Sequence, residues 1–123
     1  MTRVLVIDDD RDIRQLIAYV LSDEGFQVDE ASDGATALEI VGRQHPDVIL
    51  LDMKMPGIDG WQFAKLYRER HKDRASIIVL TAAQDAAQRA LDIHAESYVA
   101  KPFDINVLLE RVHAAAKSHR RLT

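Results

Sequence analysis

A doubly wound α/β domain, a parallel sheet with helices on both faces, is what the sequence predicts, on three observations. Short apolar runs rich in β-branched residues recur along the chain. Between them the apolar period changes from two to that of a helix. The 123 residues suit one ordinary domain and leave no room for a second.

Val4-Leu5-Val6-Ile7 reads as the first strand, apolar on both faces and so buried in a parallel sheet. Ile13, Leu16, Ile17, Val20 and Leu21 then fall on one helical stripe, with Asp10 placed to cap the helix and Gly25 to end it. Phe26 to Glu30 alternates apolar and polar, as an edge strand with one wet face does. Ala35 to Gln44 is the second helix, weakened by Gly42, and Val48-Ile49-Leu50-Leu51 the third strand. A third helix over Gly60 to His71 and a fourth over Gln84 to Ile93 flank a strand at Ile77-Ile78-Val79-Leu80. The shorter run Tyr98-Val99-Ala100 is the fifth strand. Ile105, Leu108, Leu109 and Val112 mark the last helix, which Asp104 caps. The basic tail, with Lys117, Arg120 and Arg121, suits the negative end of that helix. Residues 1–123 are thus expected to form a single domain of five βα units with right-handed crossovers.

Composition narrows the function. With 47% hydrophobic and 29% charged residues, the chain is neither disordered nor a membrane protein. No cysteine is present, which removes disulfides, thiolate metal sites and cysteine nucleophiles. A net charge of −4 argues against direct nucleic-acid binding. The first apolar run is too short for a signal peptide and meets three aspartates at once, so a cytoplasmic location is expected. The five histidines show no paired spacing with carboxylates, which argues against a transition-metal site. Packing is the default role for Trp61, and Met53 and Met55 are loop or core filler.

The strand ends carry the chemistry. In an open parallel sheet, ligands gather at the carboxyl ends of the strands, near the point where strand order reverses. Asp8, Asp9, Asp52, Thr81 and Lys101 all stand at such ends and should converge on one crevice. Singly, each has a plain reading: a polar loop, a turn, a backbone-bonding hydroxyl, a solvated lysine. Together they form a site. Three neighbouring carboxylates repel one another, and a hard divalent cation such as Mg²⁺ relieves that repulsion. Asp52 is then placed to act as a nucleophile toward phosphorus, with Lys101 and Thr81 as donors to the phosphoryl oxygens.

These residues resemble a known family. Val-Leu-Val-Ile-Asp-Asp-Asp at 4–10, Leu-Leu-Asp-Met-Lys-Met-Pro-Gly-Ile-Asp-Gly at 50–60, Leu-Thr-Ala at 80–82 and Tyr-Val-Ala-Lys-Pro-Phe at 98–103 are similar to the motifs of receiver domains of two-component response regulators. The resemblance implies a flavodoxin-like fold with strand order 2-1-3-4-5. It implies that Asp52 accepts a phosphoryl group from a sensor histidine kinase or a histidine phosphotransfer protein. Asp9 would ligate Mg²⁺ directly and Asp8 largely through water, with Asp52 and the backbone carbonyl of Lys54 completing the set. Thr81 and Tyr98 resemble the family's switch pair, and the bond from Lys101 to Pro102 is expected to be cis. The alternative role for Tyr98 is a partly buried aromatic on an edge strand.

Departures from the pattern fall on the output face. The segment from Thr81 to Lys101 is shorter than in most relatives, and His94 stands where they commonly have glycine, at a position expected to be left-handed. The resemblance places Lys54 and Ala83 at positions that tune dephosphorylation in the family. The chain ends after the fifth helix, so it is expected to be a stand-alone regulator or the receiver of a longer one, with an unidentified output partner and dimerisation on phosphorylation open. Two alternatives remain. One is a Mg²⁺-dependent phosphohydrolase with an aspartyl nucleophile, which needs a carboxylate where Lys54 stands. The other is a receiver-like binding module that is not phosphorylated.

Overall fold

The structure is a computed structural model that describes residues 2–71, 75–82 and 84–122, without the side chains of 120–122. Five strands, β1 (Arg3–Ile7), β2 (Gln27–Ala31), β3 (Val48–Asp52), β4 (Ser76–Ala82) and β5 (Ser97–Lys101), alternate with five helices, α1 (Arg11–Asp23), α2 (Gly34–Arg43), α3 (Gly60–Arg70), α4 (Ala86–Asp92) and α5 (Ile105–Leu122). All pairings are parallel and the order is β2-β1-β3-β4-β5. This is the flavodoxin-like arrangement, and its switch point lies between β1 and β3.

Alternation along the inner strands divides the core in two. Leu5, Ile7, Ile49, Leu51, Ile77 and Val79 face α2, α3 and α4. Val4, Val6, Val48, Leu50, Ile78 and Leu80 face α1 and α5. Each strand residue is buried on its own side, which fixes the register: a slip of one would exchange the two faces. β2 is half wet, as its alternation predicts. Met53 and Met55 are buried in the core.

The helices begin where short polar side chains take up free N–H groups. Asp10 accepts from the N–H groups of Asp12 and Ile13. The Asp33 carboxylate accepts from the N–H of Thr36, which holds its pKa below the usual range. Asp59 and Gln62 form a reciprocal capping box. Gly25 is left-handed after α1, and Asp104 accepts from the N–H of Asn106 at the start of α5.

Two expectations need correction. Leu16 is 46% exposed and not part of the buried stripe: Ile17 and Leu21 lie at its centre, and Leu16, one residue round the helix, falls on its margin. The fourth helix has only seven residues and starts at Ala86, not Gln84. Asp85 supplies it no side-chain cap and instead pairs with Lys54 at 3.7 Å. Two histidines each meet a single carboxylate across elements, His113 with Glu24 at 3.1 Å and His119 with Asp47 at 3.3 Å, and among the described residues neither belongs to a cluster that could hold a metal ion.

His94 is left-handed, with φ 55°. A side chain there costs about 1 kcal/mol. Arg68 on α3 holds the turn by donating to the carbonyls of Ile93 and His94, where it also complements the carboxyl end of α4. The Lys101–Pro102 peptide bond is cis. Ala83 and the side chains of Arg120 and Arg121 lie outside the described residues.

Candidate functional site

Asp8 and Asp9 follow β1 directly, Asp52 ends β3, Thr81 lies near the end of β4 and Lys101 ends β5. Parallel pairing brings these ends to one edge of the sheet, on both sides of the switch point. One carboxylate oxygen from each of Asp8, Asp9 and Asp52 lies within 4.8 Å of the others, and among the described residues this is the one cluster that could hold a metal ion. Asp52, Lys54, Thr81, Ala82, Lys101 and Pro102 line an adjoining cleft of about 320 Å³.

Burial sets the electrostatics. Asp8 is fully buried, Asp52 and Thr81 nearly so, and Asp9 is exposed at the rim. Lys101 Nζ stands 2.9 Å from Asp8 Oδ2 and 3.7 Å from Asp52 Oδ2, so its ammonium bridges the two acids. Asp8 Oδ2 is thus a buried oxygen whose counter-charge is the Lys101 ammonium. The other Asp8 oxygen accepts from the N–H of Asp10, and an Asp52 oxygen accepts from the N–H of Lys54.

Desolvation pushes the Asp52 carboxyl up to about 7; the Lys54 N–H opposes this, the Asp8 charge adds to it, and Lys101 partly offsets it. Burial would lower the Lys101 pKa, yet the hydrogen-bonding and charge of Asp8 together with the charge of Asp52 leave it above its ordinary value. The lysine therefore stays an ammonium.

The donor set fits a small hard cation. It is all oxygen, it carries surplus negative charge, and it includes a fully buried carboxylate whose counter-charge is a lysine shared with Asp52. An ion with bonds near 2.1 Å holds its ligand oxygens about 3.0 Å apart when adjacent and about 4.2 Å when opposite. Three ligands of one such ion include at least two adjacent pairs, so oxygens up to 4.8 Å apart close by as much as about 1.8 Å, or a water bridges one of them.

Several supports of the site escaped sequence reasoning. A Cβ on Gly60 would sit 2.6 Å from Met53 Sδ and 2.7 Å from Met53 Cα, so only glycine lets α3 start against the residue after Asp52. A Cβ on Gly34 would meet the Ile58 carbonyl at 2.6 Å. Gly57 has φ 74°, which turns the same loop. Arg14 also reaches the site from α1. Only the density of glycines at 57 and 60 hinted at such close approach.

Tyr98 lies apart from the acids. It is 39% exposed and lines a groove with Ala87, Leu91 and Arg111 between α4, β5 and α5. Trp61 is partly buried against the core, and the Arg89 guanidinium stacks 4.8 Å from its ring centroid.

A family model described as the response regulator receiver domain matches residues 4–113. Response regulator MprA of Mycobacterium leprae (strain TN) is 40% identical over 114 residues, which are 91% of this chain and 50% of that protein. The chain spans about half the length of the curated relatives it matches. Among solved structures, chemotaxis protein CheY4 of Vibrio cholerae is similar with a TM-score of 0.83 and 30% identity, covering 94% of this chain and 98% of that one. The receiver domain of the Francisella response regulator 1452 gives 0.86 and 32%, covering 96% and 98%. With its strand order, its acidic cluster and the family match over 4–113, the chain belongs to the response regulator receiver domain family.

Proposed function

We propose that Asp52 is the phosphoacceptor of this receiver domain, which spans residues 1–123. Receiver domains are phosphorylation-activated signalling switches, and membership of the family gives the chain that class of function. The observation that carries the assignment is the convergence of Asp8, Asp9 and Asp52 within 4.8 Å, bridged by Lys101.

In the proposed reaction an Asp52 oxygen forms a bond to the donor phosphorus. The bond from phosphorus to the donor, an imidazole nitrogen of a phosphohistidine, breaks and its electron pair leaves with the imidazole. Asp52 must be ionised to attack. The Lys101 ammonium favours that form and remains beside the cleft to receive a phosphoryl oxygen. Thr81, buried in the cleft wall, supplies a hydroxyl to another. Asp8, Asp9, Asp52 and the Lys54 carbonyl are the residues that would hold Mg²⁺, which when bound neutralises the carboxylates and the transferring oxygens.

Thr81 and Tyr98 serve as the switch pair. Thr81 pairs in register with Ala100, beside the groove that Tyr98 lines, so a shift of the hydroxyl toward a phosphoryl group reaches the neighbouring strand. The donor is a sensor histidine kinase or a phosphotransfer protein, and the output partner binds the face of α4, β5 and α5, with dimerisation as one form of output. The response-regulator name borne by MprA supports this assignment to two-component signalling. Among the described residues no helix is long and apolar enough to cross a membrane; the proposed location is the cytoplasm. No comparison supports the phosphohydrolase reading, and Lys54 occupies the position where its general acid is required.

Acetyl phosphate with Mg²⁺ tests the assignment: mass spectrometry after reductive trapping should place the label on Asp52. Label on another residue, or a normal level on Asp52→Asn, would overturn it.

A further inference from the structure

The Asp9 carboxylate sits at the rim of the cluster, exposed, and no hydrogen bond from a described residue reaches its side chain. The bond from its Cα to its Cβ, from which the carboxylate swings, is aimed by the two peptide groups on either side of it. The peptide between Asp9 and Asp10 is held because its N–H donates to Asp8 Oδ1 at 2.9 Å. The peptide between Asp8 and Asp9 is held because its carbonyl accepts from Arg14 Nη1 at 3.0 Å. A third bond, from the N–H of Asp8 to the carbonyl of Ala31 at 3.1 Å, anchors the turn to β2.

Arg14 is itself clamped. Its Nε donates to Glu30 Oε1 at 3.1 Å, across from α1 to the edge strand. The arginine side chain is only 15% exposed, so little room remains for other rotamers. A guanidinium suits the task, since its planar fork donates in two directions at once, to a carboxylate and to a carbonyl. The pairing with Glu30 also spends its charge at the edge strand and keeps it from swinging into the acidic cluster, where it would compete with a cation.

We propose that Arg14 is a positioning residue for the metal-binding carboxylates: tied to Glu30, it fixes the peptide between Asp8 and Asp9 and so aims Asp9 at the site shared with Asp8 and Asp52. This rests on the reading of the three acids as a Mg²⁺ site. Arg14 touches neither the ion nor the phosphoryl group. Its loss lowers affinity by letting Asp9 wander, and partners of this outer kind are worth roughly ten- to a hundredfold in metal affinity.

Calorimetric titration of MgCl₂ into the full chain tests the proposal. Arg14→Ala should weaken Mg²⁺ binding about tenfold. Arg14→Lys, which keeps one donor for the Asp8 carbonyl, should recover part of that loss. Glu30→Ala, which frees the guanidinium without removing it, should weaken binding by a smaller factor. Urea unfolding in EDTA separates positioning from general damage: the expected loss of affinity persists in variants whose metal-free stability matches the parent. Amide resonances of Asp9 and Asp10 should broaden in Arg14→Ala. Parent-like Mg²⁺ affinity in both Arg14→Ala and Glu30→Ala would overturn the proposal while leaving the metal site intact. A parent that binds no Mg²⁺, or an Asp9→Asn variant that binds it undiminished, would instead overturn the metal-site reading and the role of Arg14 with it.

Discussion

Neutralising Asp52 should stabilise the metal-free protein at alkaline pH and do so by less than half as much at pH 5. The carboxyl is buried beside Asp8, and its pKa rises from 3.8 to about 7. Between those values the folded state keeps a proton that the unfolded chain has released. Folding stability therefore falls as the pH rises through that window, and above it the penalty is fully present. At about 1.36 kcal/mol per pH unit this amounts to about 4 kcal/mol. Water at the mouth of the cleft screens roughly half of it, leaving about 2 kcal/mol. Asn has nearly the shape of a protonated Asp, so Asp52→Asn should gain about 2 kcal/mol over the parent at pH 8. For a domain of this size that is a rise in Tm of roughly 6–10 °C. The assay is thermal unfolding of both proteins in EDTA at pH 5 and pH 8. Saturating Mg²⁺ should close the gap at pH 8, because the parent gains a bound ion that the variant holds poorly. An equal gain at both pH values, or a parent more stable than Asp52→Asn at pH 8 in EDTA, would refute the electrostatic account.

Other outcomes follow from the same geometry. Lys101→Ala strips the buried Asp8 oxygen of its counter-charge and should cost about 2 kcal/mol without metal, a loss that Mg²⁺ recovers; urea unfolding with and without the ion measures it. Chelation by EDTA should abolish labelling by acetyl phosphate in the parent, read as acid-labile phosphate on the protein. Thr81→Ala should bind Mg²⁺ with parent-like affinity and still accept phosphoryl, yet lose the phosphorylation-dependent change at Tyr98, which NMR of that ring records. Gly60→Ala forces Met53 aside and should destabilise the fold by about 2 kcal/mol in urea.

Local patterning made most of the fold legible. Buried strands announce themselves as β-branched runs, amphipathic helices as a 3.6-residue stripe, and helix starts as Asp10 or Asp104 before such a stripe. These signals need only near neighbours in the chain. The strand ends then marked Asp8, Asp9, Asp52, Thr81 and Lys101, because in a parallel sheet every carboxyl end lies on one edge. The strand order came from the resemblance and not from periodicity, since apolar runs carry no record of which neighbour they pair with.

Partnerships between distant residues were different. That Lys101 lies nearer Asp8 than Asp52, that Arg14 grips the Asp8 carbonyl, and that Arg68 supports a left-handed His94 emerged only with the packed chain. So did the start of α4 at Ala86, where Asp85 turns to Lys54 and leaves the helix uncapped. Each depends on the register of strands, the rotation of a helix about its axis and the length of a side chain together. A composition or a period holds none of these, because they are set by the simultaneous burial of both sheet faces, and a hydrogen bond or ion pair of about 1 kcal/mol takes whatever position that packing allows.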